Sequence, residues 1–304
     1  MSAHSLKRGA TTQRARSQTA WPVLLTLPAL VSMLALILIP AVSVMVAAFT
    51  DWQFGSRSFH FIGARNFLEV WTDPAFWQAA VNTVAYAAMV IPGTLLLGLA
   101  VALLIHSSSS LRRLYEAVHF IPVMATMAAM AIVWEAMLHP TIGLVNKTLM
   151  IFGLSGANWL RDPVTVLPTL AVIGIWQQFG FAMVLFLSGL RSIPQDLYDA
   201  ARVDGASAPL DRFLTVTFPM LGPVSLFIAV ITAIRSLQVF DTVQVLTQGG
   251  PDGASEVLLH RLYTESFGFL RTGYGAALTV VFMVAVVTLT LIQNRVLDKK
   301  VHYS

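Results

Sequence analysis

Six long apolar runs dominate this sequence and leave few folds open to it. Each is long enough to cross a bilayer as a helix, which takes about 20 residues. Inside a bilayer the backbone must be hydrogen-bonded within the protein, so a span is either a helix or a strand of a closed barrel. The runs lack the two-residue alternation of barrel strands. We therefore predict an all-α integral membrane protein with six transmembrane helices, at residues 22–48, 76–105, 117–138, 164–187, 220–243 and 274–293.

The composition supports a membrane protein and limits the other classes. Hydrophobic residues make up 56% of the 304-residue chain and charged residues only 11%, against about 25% charged residues in soluble domains. The chain has no cysteine, which excludes disulfides and thiolate metal sites. Its net charge of +4 comes from basic residues that flank the apolar runs, so nucleic acid is not an expected partner.

Basic residues also predict the orientation of the chain. Most of the 19 Lys and Arg residues lie at the two ends and in the loops after the second and fourth runs, and cytoplasmic segments carry such an excess. We therefore expect a multi-pass membrane protein with both termini in the cytoplasm. The predicted domains are a cytoplasmic tail at 1–20, a transmembrane domain at 21–293 and a second cytoplasmic tail at 294–304.

A polar segment between the fourth and fifth runs carries signals for two short helices. Each helix has a serine suited to the N-cap and a proline suited to the first turn: Ser192 with Pro194, then Ser207 with Pro209. Gln195 completes a capping box with the first serine. Gly205 is a typical helix end, because glycine adopts the left-handed conformation at low cost. We expect a helical pair with a tight bend at the cytoplasmic membrane surface.

This segment resembles the coupling loop of the permease subunits of bacterial binding-protein-dependent ABC importers. That family's signature is Glu-Ala-Ala, three residues, Gly, and a spacer ending in a Leu-Pro-like pair; the matching residues here are 199–201, Gly205 and 218–219. Aspartate replaces the family's glutamate, and the spacer is longer by a single residue. The resemblance implies a loop at 189–219 that couples to an ATPase through Asp199, Ala200, Ala201, Asp204, Gly205, Phe213 and Pro219.

The resemblance also implies the bacterial plasma (inner) membrane as the location of the chain and the assembly in which it works. It implies coupling helices between spans four and five, a second permease subunit that completes a heterodimer, two ATPase subunits that hold ATP and Mg²⁺, and an extracytoplasmic solute-binding protein. The chain itself has no Gly-Lys pair and therefore no phosphate-binding loop of the Walker type. We expect a non-catalytic subunit with no cofactor bound directly to it.

The cargo implied by the resemblance is a sugar or a sugar-like solute. The segments 193–194, 204–207 and 299–303 resemble the branch of the family that imports carbohydrates and glycerol-3-phosphate. An oligosaccharide and glycerol-3-phosphate are both within that expectation. A different function class, a self-contained secondary transporter or channel for a small polar solute, is the alternative, although such proteins often show inverted repeats.

Polar residues inside the fourth and fifth runs are candidates for the substrate path, because such residues usually face a bundle interior or a water-filled route. The candidates are Trp176, Gln177, Gln178, Arg235, Gln238 and Asp241. An aromatic ring can stack on a sugar while amides bind hydroxyl groups, and the last three candidates share a broad helical face at i, i+3 and i+6. For Arg235, an internal ion pair with Asp241 or Glu135 is an equally weighted alternative.

Other polar features allow more than one interpretation. Asn82 and Tyr86 lie at i and i+4 early in the second run. The outer loops at 50–75 and 139–163, together with the Gly-Gly-Pro turn at 249–251, are either membrane-surface padding or a docking face for a binding protein. Family resemblance favours docking.

Overall fold

The computed structural model describes residues 25–107 and 112–300, and within those ranges the regular structure is helical. The predicted N-terminal tail at 1–20 lies outside the described residues. The helices, in chain order, are α1 (Leu25–Ala47), α2 (Arg65–Thr72), α3 (Pro74–Ser107), α4 (Arg112–Met124), α5 (Met127–Met137), α6 (Leu144–Ile151), α7 (Val166–Ser192), α8 (Gln195–Val203), α9 (Pro209–Met220), α10 (Gly222–Leu237), α11 (Asp241–Leu246), α12 (Leu258–Tyr263) and α13 (Thr272–Lys300).

Within residues 25–107 and 112–300, four helices are long and apolar enough to cross a membrane unaided: α1, α3, α7 and α13. Two further pairs meet the same test only when their halves are taken together. The helices α4 and α5 are bent by 100° relative to each other, and α9 and α10 by 62°. The fold thus offers between four and six spans, and the predicted third span at 117–138 is broken rather than continuous.

The predicted fifth span at 220–243 is also divided. The helix α10 ends at Leu237, and α11 begins only at Asp241. Arg235 and Asp241 therefore do not share the face of one continuous helix, so that part of the sequence-based prediction is wrong. The predicted C-terminal boundary at 293 falls inside α13, which continues to Lys300.

Close packing of α3 and α4 against α7 forms the centre of the fold, and small residues allow it. A Cβ at Gly98 would lie 2.7 Å from the Cβ of Ala182, and a Cβ at Gly180 would lie 2.1 Å from the carbonyl oxygen of His119. Helices in membranes associate through such small-residue contacts, because lipid provides no hydrophobic drive for helix pairing. The glycines of α3 and α7 thereby allow the close helix packing that positions the candidate site described below.

Three helical turns within the described residues are π-helical: Leu34–Leu38, Phe213–Thr217 and Thr264–Gly268. In each of these turns a backbone N–H bonds the carbonyl five residues earlier. Phe218, for example, donates to the oxygen of Phe213. Such single turns inside α-helices are rare and often mark functional segments.

Candidate functional site

The loop between α7 and α10 contains the two predicted short helices, α8 and α9, but their caps differ from the prediction. Ser192 is the last residue of α7, where its Oγ donates a 2.8 Å hydrogen bond to the carbonyl of Gly189. The N-cap of α8 is Pro194 and no side chain caps it, so the capping box is wrong. Proline in extended conformation already directs the chain into the helix, because its φ is fixed near −65°.

The second helix starts in the same way. Its N-cap is Ala208, without a side-chain hydrogen bond, and Pro209 occupies the first turn. The serine predicted at the cap, Ser207, is not used. Proline is favoured at the first helical position because its missing N–H would be unpaired there in any case.

The bend between the two helices occurs at Gly205, as the sequence predicts. Its φ is +98°, in the left-handed region that costs other residues about 1–2 kcal/mol. Just beyond it, the N–H of Ala206 donates to the carbonyl of Ala201 over 2.9 Å, which closes the end of α8. A Cβ at Gly205 would meet no heavy atom within 4 Å, so backbone conformation rather than crowding selects glycine.

Apolar contacts and one hydrogen bond fix this helical pair to the membrane domain. Ile193 and Val216 are buried in a cluster with Leu187, Leu190 and Leu221, which joins the loop to the C-terminal end of α7 and the start of α10. The hydroxyls of Tyr198 and Thr217 lie 3.1 Å apart and connect α8 to α9. The helical pair is therefore packed against α7 and the start of α10.

The opposite side of the loop is exposed and includes apolar groups. Asp199 forms an ion pair with Arg202 within α8, Ala200 is exposed, and the side chain of Val203 is 88% exposed. A groove of about 390 Å³ separates α8 from α9, and it is lined by Leu197, Ala200, Ala201, Asp204, Ala206, Thr215, Val216, Pro219 and Met220. Of the other predicted contact residues, Phe213 is half-buried and packs against Phe218 at a ring-centroid distance of 6.1 Å.

A second feature is a polar cavity of about 250 Å³ between α3, α4, α7 and the α10–α11 break. It is lined by Tyr86, Val123, Met127, Gln177, Gln178, Arg235, Gln238, Val239, Phe240, Asp241 and Thr242. Five of the six residues predicted for the substrate path thus meet around one cavity. The break in the fifth span brings them together, since it directs residues of two helices toward α7.

The charges and amides of this cavity have few partners within the chain. The Oε1 of Gln178 is buried and has no hydrogen-bond partner among the described residues. The guanidinium of Arg235 lies 5.1 Å from the ring centroid of Phe181, a cation–π contact. No ion pair joins Arg235 to Asp241 or Glu135 in the part of the chain that the structure describes. A buried amide without a partner costs about 1–3 kcal/mol, which a hydroxyl donor from a ligand would offset.

Trp176 occupies a different position from the other path candidates. Its ring packs edge-to-face against Trp134, with the centroids 5.3 Å apart, and it is not part of the cavity lining. Asn82 also points elsewhere: its Nδ2 donates 2.9 Å hydrogen bonds to the carbonyls of Gly253 and Glu256. Tyr86 does line the cavity, close against α7, since a Cβ on Gly174 would be 2.2 Å from its hydroxyl oxygen.

An ionic network that the sequence analysis missed joins α12 and the start of α13 to the start of α3. Glu265 is 1% exposed and contacts Arg261 at 2.7 Å and Arg271 at 3.2 Å. Arg261 also lies 3.2 Å from Asp73, whose carboxylate accepts a 2.7 Å hydrogen bond from the Tyr274 hydroxyl. In the sequence, only the i, i+4 spacing of Arg261 and Glu265 indicates an ion pair of this network.

The two acids of the network differ in protonation behaviour. Burial raises the pKa of Glu265, against the opposing charges of Arg261 and Arg271. Burial alone would also raise the pKa of Asp73, but the hydrogen bonds from Tyr274 and from the Ala75 N–H, with the charge of Arg261, hold that pKa below its ordinary value.

Comparison with known proteins identifies the class to which this fold and these sites belong. Residues 94–303 match the family of binding-protein-dependent transport system inner membrane components. The chain belongs to this family and is a membrane-spanning permease subunit of an ABC importer. The alternative of a self-contained secondary transporter or channel is thereby rejected.

Curated relatives cover nearly the whole chain. The trehalose/maltose transport system permease protein MalF of Thermococcus litoralis is 32% identical over 274 residues, which are 90% of this chain and 92% of that protein. The sn-glycerol-3-phosphate transport system permease protein UgpA of Pectobacterium atrosepticum is 29% identical over 299 residues, 96% of this chain and 99% of that protein. The sulfoquinovosyl glycerol permease protein SmoG of Agrobacterium fabrum is 30% identical over 279 residues, covering 91% and 90%.

Among solved structures, the fold matches a chain of a bacterial ABC transporter involved in the import of the acidic polysaccharide alginate. The TM-score is 0.79 with 21% sequence identity, over 95% of this chain and 98% of that one. A second structure of the alginate transporter, in complex with an alginate pentasaccharide-bound periplasmic protein, also matches with a TM-score of 0.79, at 22% identity over 93% of this chain and 95% of that one.

Proposed function

We propose that the polar cavity between α7 and the α10–α11 break is the part of the translocation path through which this subunit passes a sugar or sugar-like solute. The observation that carries the proposal is the convergence of Gln177, Gln178, Arg235, Gln238 and Asp241 on one cavity. Amide, guanidinium and carboxylate groups together can both donate hydrogen bonds to hydroxyl oxygens and accept hydrogen bonds from hydroxyl groups.

The names of the relatives agree with this substrate class. Those proteins are named for trehalose and maltose, for sn-glycerol-3-phosphate and for sulfoquinovosyl glycerol, which are all rich in hydroxyl groups. Two of the three also carry an anionic group. Arg235 is suited to such a solute, because a guanidinium binds phosphate or a similar oxyanion through charge-assisted hydrogen bonds.

The cytoplasmic pair α8 and α9 is, in this proposal, the element that docks on an ATPase subunit. Its exposed apolar side chains, its groove and its small residues at Ala200 and Ala201 suit close contact with a protein surface. Two ATPase subunits hold ATP and Mg²⁺, a second permease completes the pore as a heterodimer, and an extracytoplasmic binding protein delivers the solute. No cofactor binds this chain directly.

The proposed topology has six spans in the inner membrane, with the bent pairs α4–α5 and α9–α10 counted as one span each and both termini in the cytoplasm. Reporter fusions at Asn158 and Asp252 are expected to read as extracytoplasmic, and a fusion at Ala208 as cytoplasmic. An extracytoplasmic signal at Ala208 would overturn the orientation and with it the docking role of α8.

The substrate path is tested by solute uptake into proteoliposomes that contain the complete transporter. Gln178→Ala is expected to lower uptake about twofold to tenfold, the effect of losing one neutral hydrogen bond worth roughly 0.5–1.5 kcal/mol. Arg235→Ala is expected to reduce uptake more for an anionic solute than for a neutral one. Gln244→Ala is the matched control, because this residue follows the same break but does not line the cavity.

Two outcomes separate path residues from packing residues. ATPase activity stimulated by the binding protein is expected to persist in Gln178→Ala, since the coupling loop is untouched. Unchanged uptake of every solute tested in both Gln178→Ala and Arg235→Ala would contradict the assignment of the cavity.

A further inference from the structure

The short outer helix α2 has two sides with opposite surroundings. Asn66 and Val70 are 6% and 0% exposed and pack into the protein. On the other side, Leu68 and Trp71 are 69% and 63% exposed. These two residues lie at i and i+3, so they form one continuous apolar surface on the helix. Nothing in the described part of the chain covers that surface.

The position of α2 along the membrane normal follows from its connection to α3. Only Asp73 separates the two helices. The ring of Trp71 packs edge-to-face on Trp77 in the first turn of α3, with the centroids 5.0 Å apart, and the indole N–H of Trp77 donates a 2.9 Å hydrogen bond to the carbonyl of Trp71. Trp71 is therefore at the depth of the first turn of α3.

The length of α3 places that first turn in the headgroup layer. The helix has 34 residues, or about 51 Å at 1.5 Å per residue. The hydrocarbon core of a bilayer is about 30 Å thick, and the whole bilayer with its headgroups about 40–45 Å. The ends of α3 must then extend through the polar layers, and the aromatic rings of Trp71 and Trp77 lie where such rings are enriched in membrane proteins.

The exposed surface of α2 is also continuous with an exposed apolar stripe on α3. Trp77, Val81 and Val84 follow one another at helical spacing and are 44%, 64% and 65% exposed. In a protein of the inner membrane, such a stripe is suited to lipid acyl chains. Leu68 and Trp71 extend it sideways beyond the start of the span.

We propose that α2 is an interfacial helix that lies in the outer headgroup layer and inserts Leu68 and Trp71 toward the acyl chains. Helices of this kind bury one apolar face roughly 5–10 Å into the headgroup boundary. The partner is the phospholipid surface itself. The consequence is that the outer end of α3 is held at a fixed depth while the cytoplasmic loops move.

The absence of cysteine from the chain makes a direct test available. Single-cysteine variants of the full chain are assembled with the partner subunits in vesicles of phosphatidylethanolamine and phosphatidylglycerol, and a nitroxide label is attached. Collisions of the label with oxygen report hydrocarbon, and collisions with a water-soluble nickel chelate report water. The probe position is Leu68→Cys, because Leu68 is exposed and its replacement leaves the packed side of α2 intact.

Two reference positions calibrate the measurement: Val84→Cys for the acyl chains and Arg57→Cys, in an exposed outer loop, for water. The expected result is an oxygen-to-nickel accessibility ratio at Leu68 that lies between those of the two references. A ratio equal to that of Arg57→Cys would overturn the proposal, because the helix would then face water. Protection of Leu68→Cys from both reagents would also overturn it, since a protein subunit rather than lipid would cover the surface.

Discussion

The two ends of this subunit, which the proposed topology places on the outer and the cytoplasmic side of the membrane, are built in contrasting ways. On the outer side, three asparagines each donate two 2.9 Å hydrogen bonds to loop carbonyls: Asn66 to Ala48 and Thr50, Asn82 to Gly253 and Glu256, and Asn146 to Pro140 and Ala157. On the cytoplasmic side, the α8–α9 pair has one side-chain hydrogen bond between its helices, at Tyr198 and Thr217, and exposes apolar groups such as Val203.

The difference indicates which end is complete within this chain. Buried polar groups with all their partners in the same chain give a surface of fixed shape, whereas exposed apolar groups are stabilised only when another surface covers them. Apart from the apolar side of α2, the polar contacts of the outer end are thus satisfied within this chain, whereas the α8–α9 pair needs a partner to cover its apolar groups. Mutations at the outer end should therefore change mainly stability, whereas mutations at the cytoplasmic end should change mainly transport.

The largest expected effect on stability is at the outer end, from Glu265→Ala. This change leaves Arg261 and Arg271 partly buried without their shared carboxylate, and breaking a buried ion pair costs about 3–5 kcal/mol. Thermal unfolding of the purified protein in detergent is the measurement. Glu135→Ala, at an exposed carboxylate, is the matched control with an expected effect within about 0.5 kcal/mol. An equal, small shift for both variants would mean that the network does not stabilise the outer end.

The next effect is on transport, from Gly205→Val at the cytoplasmic bend. A positive φ of 98° costs a side chain about 1–2 kcal/mol, which corresponds to a factor of about 5–30 in the population of the docking-competent loop. We expect stimulated uptake to fall by that factor while thermal stability changes little. Gly222→Ala is the control, since a Cβ there also meets open space but the backbone is helical. Normal uptake in Gly205→Val would contradict the proposed coupling role of this bend.

A smaller effect, dependent on pH, is expected from Asp73→Asn. Because the folded pKa of Asp73 lies below its ordinary value of 3.8, its ionised form stabilises the fold above that value, and this contribution is lost as the pH falls through the lowered folded pKa. The midpoint difference between wild type and Asp73→Asn should therefore be largest near neutral pH and shrink in acid. Glu265 behaves in the opposite sense, as its pKa is raised. A midpoint difference that is independent of pH would contradict this account of Asp73.

The smallest effect is expected from Asp199→Glu, which keeps the charge that pairs with Arg202. Both partners are exposed, and such surface ion pairs contribute about 0–1 kcal/mol. Uptake and stability are therefore expected to stay close to wild type. A strong loss of uptake in this variant, with ATPase binding retained, would show that the length of the side chain at 199 matters to the docking surface.

The sequence predicted those features that depend on local chemistry. The apolar runs correspond to the helices that are candidates for spans, and Gly205 ends α8 because glycine alone adopts its conformation without cost. Five of the six residues proposed for the substrate path line one cavity, although the continuous helical face expected for Arg235, Gln238 and Asp241 was wrong. The roles of the path and coupling residues remain predictions.

Other features depend on contacts between distant segments, which local sequence patterns do not indicate. The break at 238–240 moves Gln238 and Asp241 off the helix that holds Arg235, but the spacing of these three residues is also that of one continuous helix and therefore does not show the break. The 100° bend between α4 and α5 lies within an apolar run, so hydropathy does not show it. Trp176 was expected to face the solute, but the tertiary packing of α5 on α7 places Trp134 against it.

The π-helical turn at Phe213–Thr217 has a consequence for sequence length. A turn closed from i to i+5 holds one residue more than the α-helical turn that it replaces. We predict that this wider turn accommodates the additional residue in the spacer between Gly205 and Pro219, so that the residues on either side keep their places on the surface. Coupling loops that differ by one residue can then present the same face to a partner, so alignments of such loops should place the gap at this turn rather than at the bend.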